Sequence, residues 1–181
     1  APLMERVLSR MRDWKTGEPL DPQNQLGALI DADHCKKVTS YLSDTPLVGG
    51  KVDGNFLEPT VFEVTKDDPK AREEIFGPVL CVVEVASMDE AIELANDTEY
   101  GLAASVFTAN IRRAMRAAKD IRAGTVTVNC YGEGDISTPF GGYKQSGFGG
   151  RDNSIHAHDQ FTEMKTIWMD LSDPADGDNV G

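Results

Sequence analysis

Apolar residues recur at four-residue spacing as soon as the chain begins, with Leu3, Val7 and Met11 sharing one side of residues 2–14. That period predicts an amphipathic helix, with Pro2 in a first turn that needs no N–H from it and Gly17 beyond the end. A polar stretch containing Pro19 and Pro22 follows. A second helical pattern over residues 31–42 then gathers Cys35, Val38 and Leu42 on one face. Turn-forming residues dominate 45–55, and residues 59–64 read as a short strand ahead of a loop carrying Asp67, Asp68 and Pro69.

From Val79 the pattern becomes regular. Residues 79–85 form an almost continuous apolar run, as in a strand covered on both faces. Ser87 and Glu90 make a capping box that starts a helix running to about residue 96, with Ile92 and Ala95 inward. Residues 103–108 read as a second strand. Asn110 caps a helix bearing Ile111, Met115, Ala118 and Ile121, Gly124 stops it, and residues 125–129 make a third strand. Strands alternating with helices over short connections predict an α/β fold with two right-handed crossovers, hence three parallel strands. In such a sheet ligands sit beyond the carboxyl ends of the strands, and the long loop 130–151 leaves from one of them. Residues 162–169 are strand-like, with more apolar area than a free edge carries, which predicts pairing with another surface. The acidic tail 172–181, with Gly and Pro, predicts disorder.

Composition narrows the function. With 181 residues, 40% hydrophobic and 27% charged, the chain can bury a core of its own. A net charge of -12 opposes binding to nucleic acid or an anionic membrane, since either needs clustered positive charge. The basic residues that do cluster, Arg112, Arg113, Arg116, Lys119 and Arg122, read as the solvated face of one helix. The sequence has neither an apolar run long enough to span a membrane nor a signal-peptide pattern, so the expected setting is the cytoplasm. Three scattered cysteines without a CxxC pair fit a reducing compartment. The helical spacing begins directly after Ala1, which predicts a segment of a longer protein.

Two motifs carry chemistry. Glu73-Glu74-Ile75-Phe76-Gly77-Pro78-Val79 sets a carboxylate pair, an aromatic and a Gly-Pro turn at the mouth of an apolar strand. Pro139-Phe140-Gly141-Gly142-Tyr143-Lys144-Gln145-Ser146-Gly147-Phe148-Gly149 is a glycine-rich loop interleaved with aromatics. Together and in this order they resemble the C-terminal part of the NAD(P)-dependent aldehyde dehydrogenase family. The resemblance runs from the first helix to Leu171.

That family oxidises aldehydes through attack by a cysteine thiolate, hydride transfer to NAD or NADP, and hydrolysis by base-activated water. The resemblance places the nucleophilic cysteine, the general-base glutamate and the Rossmann domain ahead of the position where this chain starts, and implies that the chain alone is inactive. Cys35 has basic neighbours, but its helical spacing with Val38 and Leu42 reads as a packed core thiol. Cys81 lies inside the apolar run, and the third glycine position of a GxGxxG counted from Gly147 holds Asp152. By resemblance, Glu74 accepts hydrogen bonds from the nicotinamide ribose and Phe76 packs near the nicotinamide, whereas Glu73 reads as an ordinary helix-end carboxylate. The loop 130–140 takes the place of the aldehyde-lining loop, with Cys130, Tyr131, Glu133, Asp135 and Phe140 as candidates. Glu133 and Asp135 either attract a cationic substrate or form a solvated loop.

The likeness leans towards the branch that oxidises gamma-glutamyl-gamma-aminobutyraldehyde and related amine-derived aldehydes in putrescine breakdown. It divides the chain into a partial catalytic domain over 1–161, an oligomerisation strand over 162–171 and a tail. A small-molecule aldehyde and a homo-oligomeric assembly are the partners it implies. His156 and His158 lack a third ligand at useful spacing, so no metal is expected. The sequence departs from the family in a shorter segment 41–56 and in one extra glycine at Gly149-Gly150, which displaces Arg151 by one position. A rival reading is a non-catalytic assembly fragment whose last strand joins a partner sheet.

Overall fold

A computed structural model describes residues 2–132 and 134–171. The expected tail and Glu133 lie outside the described residues. The elements run α1 (Pro2–Asp13), α2 (Ala32–Thr39), β1 (Val52–Asp53), β2 (Phe56–Leu57), β3 (Thr60–Glu63), β4 (Val79–Val82), α3 (Met88–Asn96), β5 (Ala103–Val106), α4 (Ile111–Asp120) and β6 (Thr125–Val128). They form two compact units. One holds the chain up to Glu99 together with Thr108–Arg122, and the other holds Tyr100–Phe107 and the chain from Ala123 onward.

In the first unit the helices begin where side chains satisfy their free N–H groups. Asp31 accepts from the His34 N–H at 2.7 Å to start α2, and Asn110 accepts from the Arg112 and Arg113 N–H groups at 3.0 and 3.1 Å to start α4. Ser87 accepts from the Glu90 N–H at 3.1 Å, while the Glu90 carboxylate reaches back to the Ala86 N–H at 2.8 Å. The capping box therefore closes one residue further out than the standard motif. A hairpin, β1 with β2, turns through Gly54 at φ 58.

β3 runs parallel to β4, with Thr60 opposite Val79 and Glu63 opposite Val82. β3 is the most enclosed strand: Thr60, Val61 and Phe62 are all buried. The Thr60 hydroxyl is satisfied at depth by donating to the Glu58 carbonyl at 2.7 Å. Around these strands Val38, Leu57 and Ile75 form a core against which Leu29, Tyr41, Leu42, Val79 and Cys81 pack. At the β3–β4 connection Lys70 bonds to Asp44 at 2.6 Å and Asp68 at 3.2 Å, and lies 5.7 Å over the Phe62 ring.

In the second unit β5 and β6 pair in parallel, Ala103 opposite Thr125 through Val106 opposite Val128. The glycine-rich loop folds back on their start, with the Tyr143 N–H donating to the Gly101 carbonyl at 2.8 Å and the Gly101 N–H donating to Ser146 Oγ at 3.0 Å. A Cβ at Gly124 would overlap the Gly141 carbonyl, so glycine is required there by the approach of two backbones.

Three expectations, for the sheet, β4 and α4, are corrected. Among the described residues the predicted three-stranded sheet is replaced by parallel pairs, β4 with β3 and β5 with β6. β4 is shorter than the apolar run and not covered on both faces, since Leu80 is 42% exposed. α4 buries Ala114 and Ala117 and leaves Ile111 and Met115 exposed, so its enclosed side is lined by small residues that permit close packing. Residues 162–171 carry neither helix nor strand and are exposed throughout, with Met164, Ile167 and Trp168 all open.

Candidate functional site

The Glu-Glu-Ile-Phe-Gly-Pro motif links the turn at Pro69–Ala71 to β4, and its side chains divide sharply by environment. Ile75 is buried with Val38 and Leu57 and anchors the segment. Glu73, on the exposed side, accepts a 2.7 Å hydrogen bond from the Tyr41 hydroxyl and ties the motif to the end of α2. It is a structural carboxylate, although a loop holds it and not the helix end expected. Glu74 is exposed and has no hydrogen bond or ion pair among the described residues. Its carboxylate is left with its acceptor capacity unspent.

Phe76 is 71% exposed and has φ 58, in the left-handed region. For a bulky side chain that conformation costs about 1–3 kcal/mol and persists only where the surroundings impose it. Both flanks do so. Ile75 is fixed in the core, and Gly77 lies so close to Val38 that a Cβ there would sit 2.7 Å from a Val38 methyl. The turn stands the Phe76 ring at an open, mainly apolar hollow of about 550 Å³, shared with Leu26, Gly27, Ala28, Leu29, Leu57, Gly77 and Pro78. A planar ring, a free carboxylate two residues away and an apolar recess suit a ligand that joins a flat heterocycle to a sugar diol. The residues present therefore fit the nicotinamide half of a dinucleotide.

Pattern reading missed the recess and the part played by His34. His34 Nε2 lies 2.9 Å from the Phe76 carbonyl, and no local signal ties two residues 42 positions apart.

The candidates of the loop 130–140 belong to the second unit. Cys130 follows Asn129, which has φ 58, directly after β6, and its carbonyl accepts from Thr127 Oγ1 at 2.9 Å. Tyr131 is 85% exposed. Asp135 Oδ1 accepts from the Ser137 N–H at 2.7 Å and the Ser137 hydroxyl at 2.5 Å, and these bonds hold its carboxyl below the ordinary value. Asp135 therefore stays charged while closing a turn. Phe140 is held by a two-way backbone bridge to Asp152. The Arg151 guanidinium lies 5.5 Å over the Tyr143 ring and donates to the Gly150 carbonyl at 2.8 Å.

The cysteines divide by burial. Cys35 is buried with its thiol 3.5 Å from the Gly54 carbonyl, as a packed thiol should be. Burial pushes the Cys81 thiol up, away from the thiolate form a nucleophile needs. Among the described residues no three His, Cys, Asp or Glu side chains converge as a metal site. Among the described residues no helix is long and apolar enough to cross a membrane.

Residues 1–167 match the sequence model of the aldehyde dehydrogenase family. The chain belongs to the aldehyde dehydrogenase family. It is 55% identical over 178 residues to an aminoacetaldehyde dehydrogenase of Pseudomonas aeruginosa, covering 94% of this chain and 36% of that protein. Among solved structures, an indole-3-acetaldehyde dehydrogenase complexed with NAD+ superposes with a TM-score of 0.87 at 44% identity, over 94% of this chain and 37% of that one. A gamma-glutamyl-gamma-aminobutyraldehyde dehydrogenase from Burkholderia cenocepacia J2315 superposes at 0.85 with 47% identity, over 91% and 35%. This aldehyde dehydrogenase chain thus spans about a third of the length of the relatives it matches.

Proposed function

We propose that this chain is the C-terminal portion of the catalytic domain of an NAD(P)-dependent aldehyde dehydrogenase that oxidises an amine-derived aldehyde to a carboxylate, and that it supplies the nicotinamide-ribose side of the cofactor site. The observation that carries this reading is the division within one motif: Ile75 is locked in the core while Glu74 and Phe76 stand exposed on either side of it. The cofactor, when bound, accepts the hydride. Glu74 accepts hydrogen bonds from the ribose hydroxyls, and Phe76 covers one side of the ring position and keeps water from it. The nucleophilic cysteine, the general base and the adenine-binding domain come from outside this chain, so the chain alone does not turn over. An amine-derived aldehyde is supported by the names of two relatives, which act on aminoacetaldehyde and on gamma-glutamyl-gamma-aminobutyraldehyde, and by the charged Asp135 in the aldehyde-lining loop.

The direct test is Glu74→Ala in the intact enzyme. Hydrogen bonds to a charged group are worth about 1.5–3 kcal/mol each, so cofactor binding should weaken roughly ten- to a hundredfold. Unchanged affinity for NAD+ and NADP+ would refute the assignment. A second reading, an assembly fragment, is favoured by the exposed Met164, Ile167 and Trp168. Sedimentation of the chain with and without residues 162–171 decides how far they drive association. Aldehyde oxidation by the chain alone would rule that reading out.

A further inference from the structure

We propose that His34 is a positioning residue for the Phe76 ring: it donates from Nε2 to the Phe76 carbonyl and so holds the left-handed turn that presents the ring at the apolar hollow. The inference rests on the reading of Phe76 as the aromatic that meets the cofactor.

Four observations converge on it. A carbonyl only accepts, so at 2.9 Å the Nε2 atom must carry the proton, which assigns the tautomer. The imidazole lies 6.2 Å from the Phe76 ring, tilted by 55°, so the same side chain touches both the backbone and the ring of its partner. The backbone of His34 is anchored, because its amide N–H donates to the Asp31 carboxylate at the start of α2. Its Nδ1 is buried without a hydrogen-bond partner among the described residues. A freely solvated imidazole would satisfy both nitrogens, so a ring kept where one goes unsatisfied is held by what the other does.

The turn needs such a hold. Ile75 and Gly77 are held by the core on either side, and the carbonyl between Phe76 and Gly77 is met by His34. That peptide plane turns with ψ of Phe76, the angle that together with its positive φ defines the left-handed conformation. The bond from His34 spans 42 residues, from α2 to the turn, and acts on the plane directly.

The test has a structural arm and a functional arm. In the 181-residue chain, long-range nitrogen–proton NMR should show His34 protonated at Nε2, and one-bond Cα–Hα coupling should report a positive φ at Phe76. His34→Leu removes the donor and should return Phe76 to negative φ, with amide shifts confined to residues around the turn. His34→Gln keeps an N–H of similar reach and should preserve the turn. In the intact enzyme His34→Leu should raise the cofactor KM about five- to tenfold, the loss of roughly one hydrogen bond, with the aldehyde KM unchanged and His34→Gln close to wild type. A positive φ retained in His34→Leu overturns the proposal, whatever the kinetics. Phe76→Ala separates the two failures. If it weakens cofactor binding while His34→Leu does not, the positioning role is wrong; if neither variant changes cofactor binding, the reading of Phe76 falls and the proposal with it.

Discussion

Replacing Gly77 by alanine probes how tightly the cofactor turn is seated on the core. Gly77 does not occupy the left-handed region, so the objection to a side chain there is steric and not conformational. The new Cβ would stand 2.7 Å from one methyl of Val38 and 3.1 Å from the other, and Val38 is 0% exposed, with no free space into which to retreat. Overpacking of that kind costs about 1–3 kcal/mol, and the lower entropy of an unfolded alanine chain offsets about 0.4–1 kcal/mol of it. The expected net loss is about 0.5–2 kcal/mol, or roughly 2–6 °C in Tm for a chain of this size. Val38→Ala alone should cost about 2–3 kcal/mol, from two lost methyl groups and the void they leave. The double variant decides between explanations: with the Val38 methyls gone, the Gly77→Ala penalty should vanish, giving a coupling of about 1 kcal/mol or more in a thermal or urea double-mutant cycle. Additive losses would show that Val38 is not what the turn rests on.

Three further outcomes follow from other parts of the molecule. Asn110→Ala leaves two N–H groups at the start of α4 without their acceptor and should lower stability by about 1 kcal/mol in urea titrations, whereas Asn110→Asp should be nearly neutral. The Asp68 carboxyl is lowered chiefly by accepting the Lys70 backbone N–H, so its contribution is present above the unfolded value of about 3.9 and is lost as pH falls through the folded value. Urea midpoints should therefore drop below about pH 4, with a shallower drop in Asp68→Asn; identical profiles would remove Asp68 from the account. Cys81, whose thiol burial pushes up, should alkylate at pH 7.5 more slowly than a free cysteine peptide and reach the peptide's rate once the chain is unfolded in urea.

Local rules set much of this protein from the order of its residues alone. Asp31, Ser87 and Asn110 start their helices because a side-chain acceptor needs only the next two or three N–H groups, and Gly124, read as a helix stop, lies just beyond the end of α4. The exposure of Glu74 belongs to the same class, since a carboxylate with no partner stays in water. Tertiary structure decided the rest. β4 pairs with β3 and not with β5 because strand neighbours are chosen by which buried surfaces meet, a quantity that period and propensity do not contain. Likewise, α4 turned Ala114 and Ala117 inward although Ile111 and Met115 are more apolar, since the depth of a contact is fixed by its partner. Phe76 stands outside a core in which Ile75 is held by Val38 and Leu57, residues far from it in the chain. A left-handed phenylalanine is unfavourable in isolation, and the contacts that impose it exist only once the chain has folded.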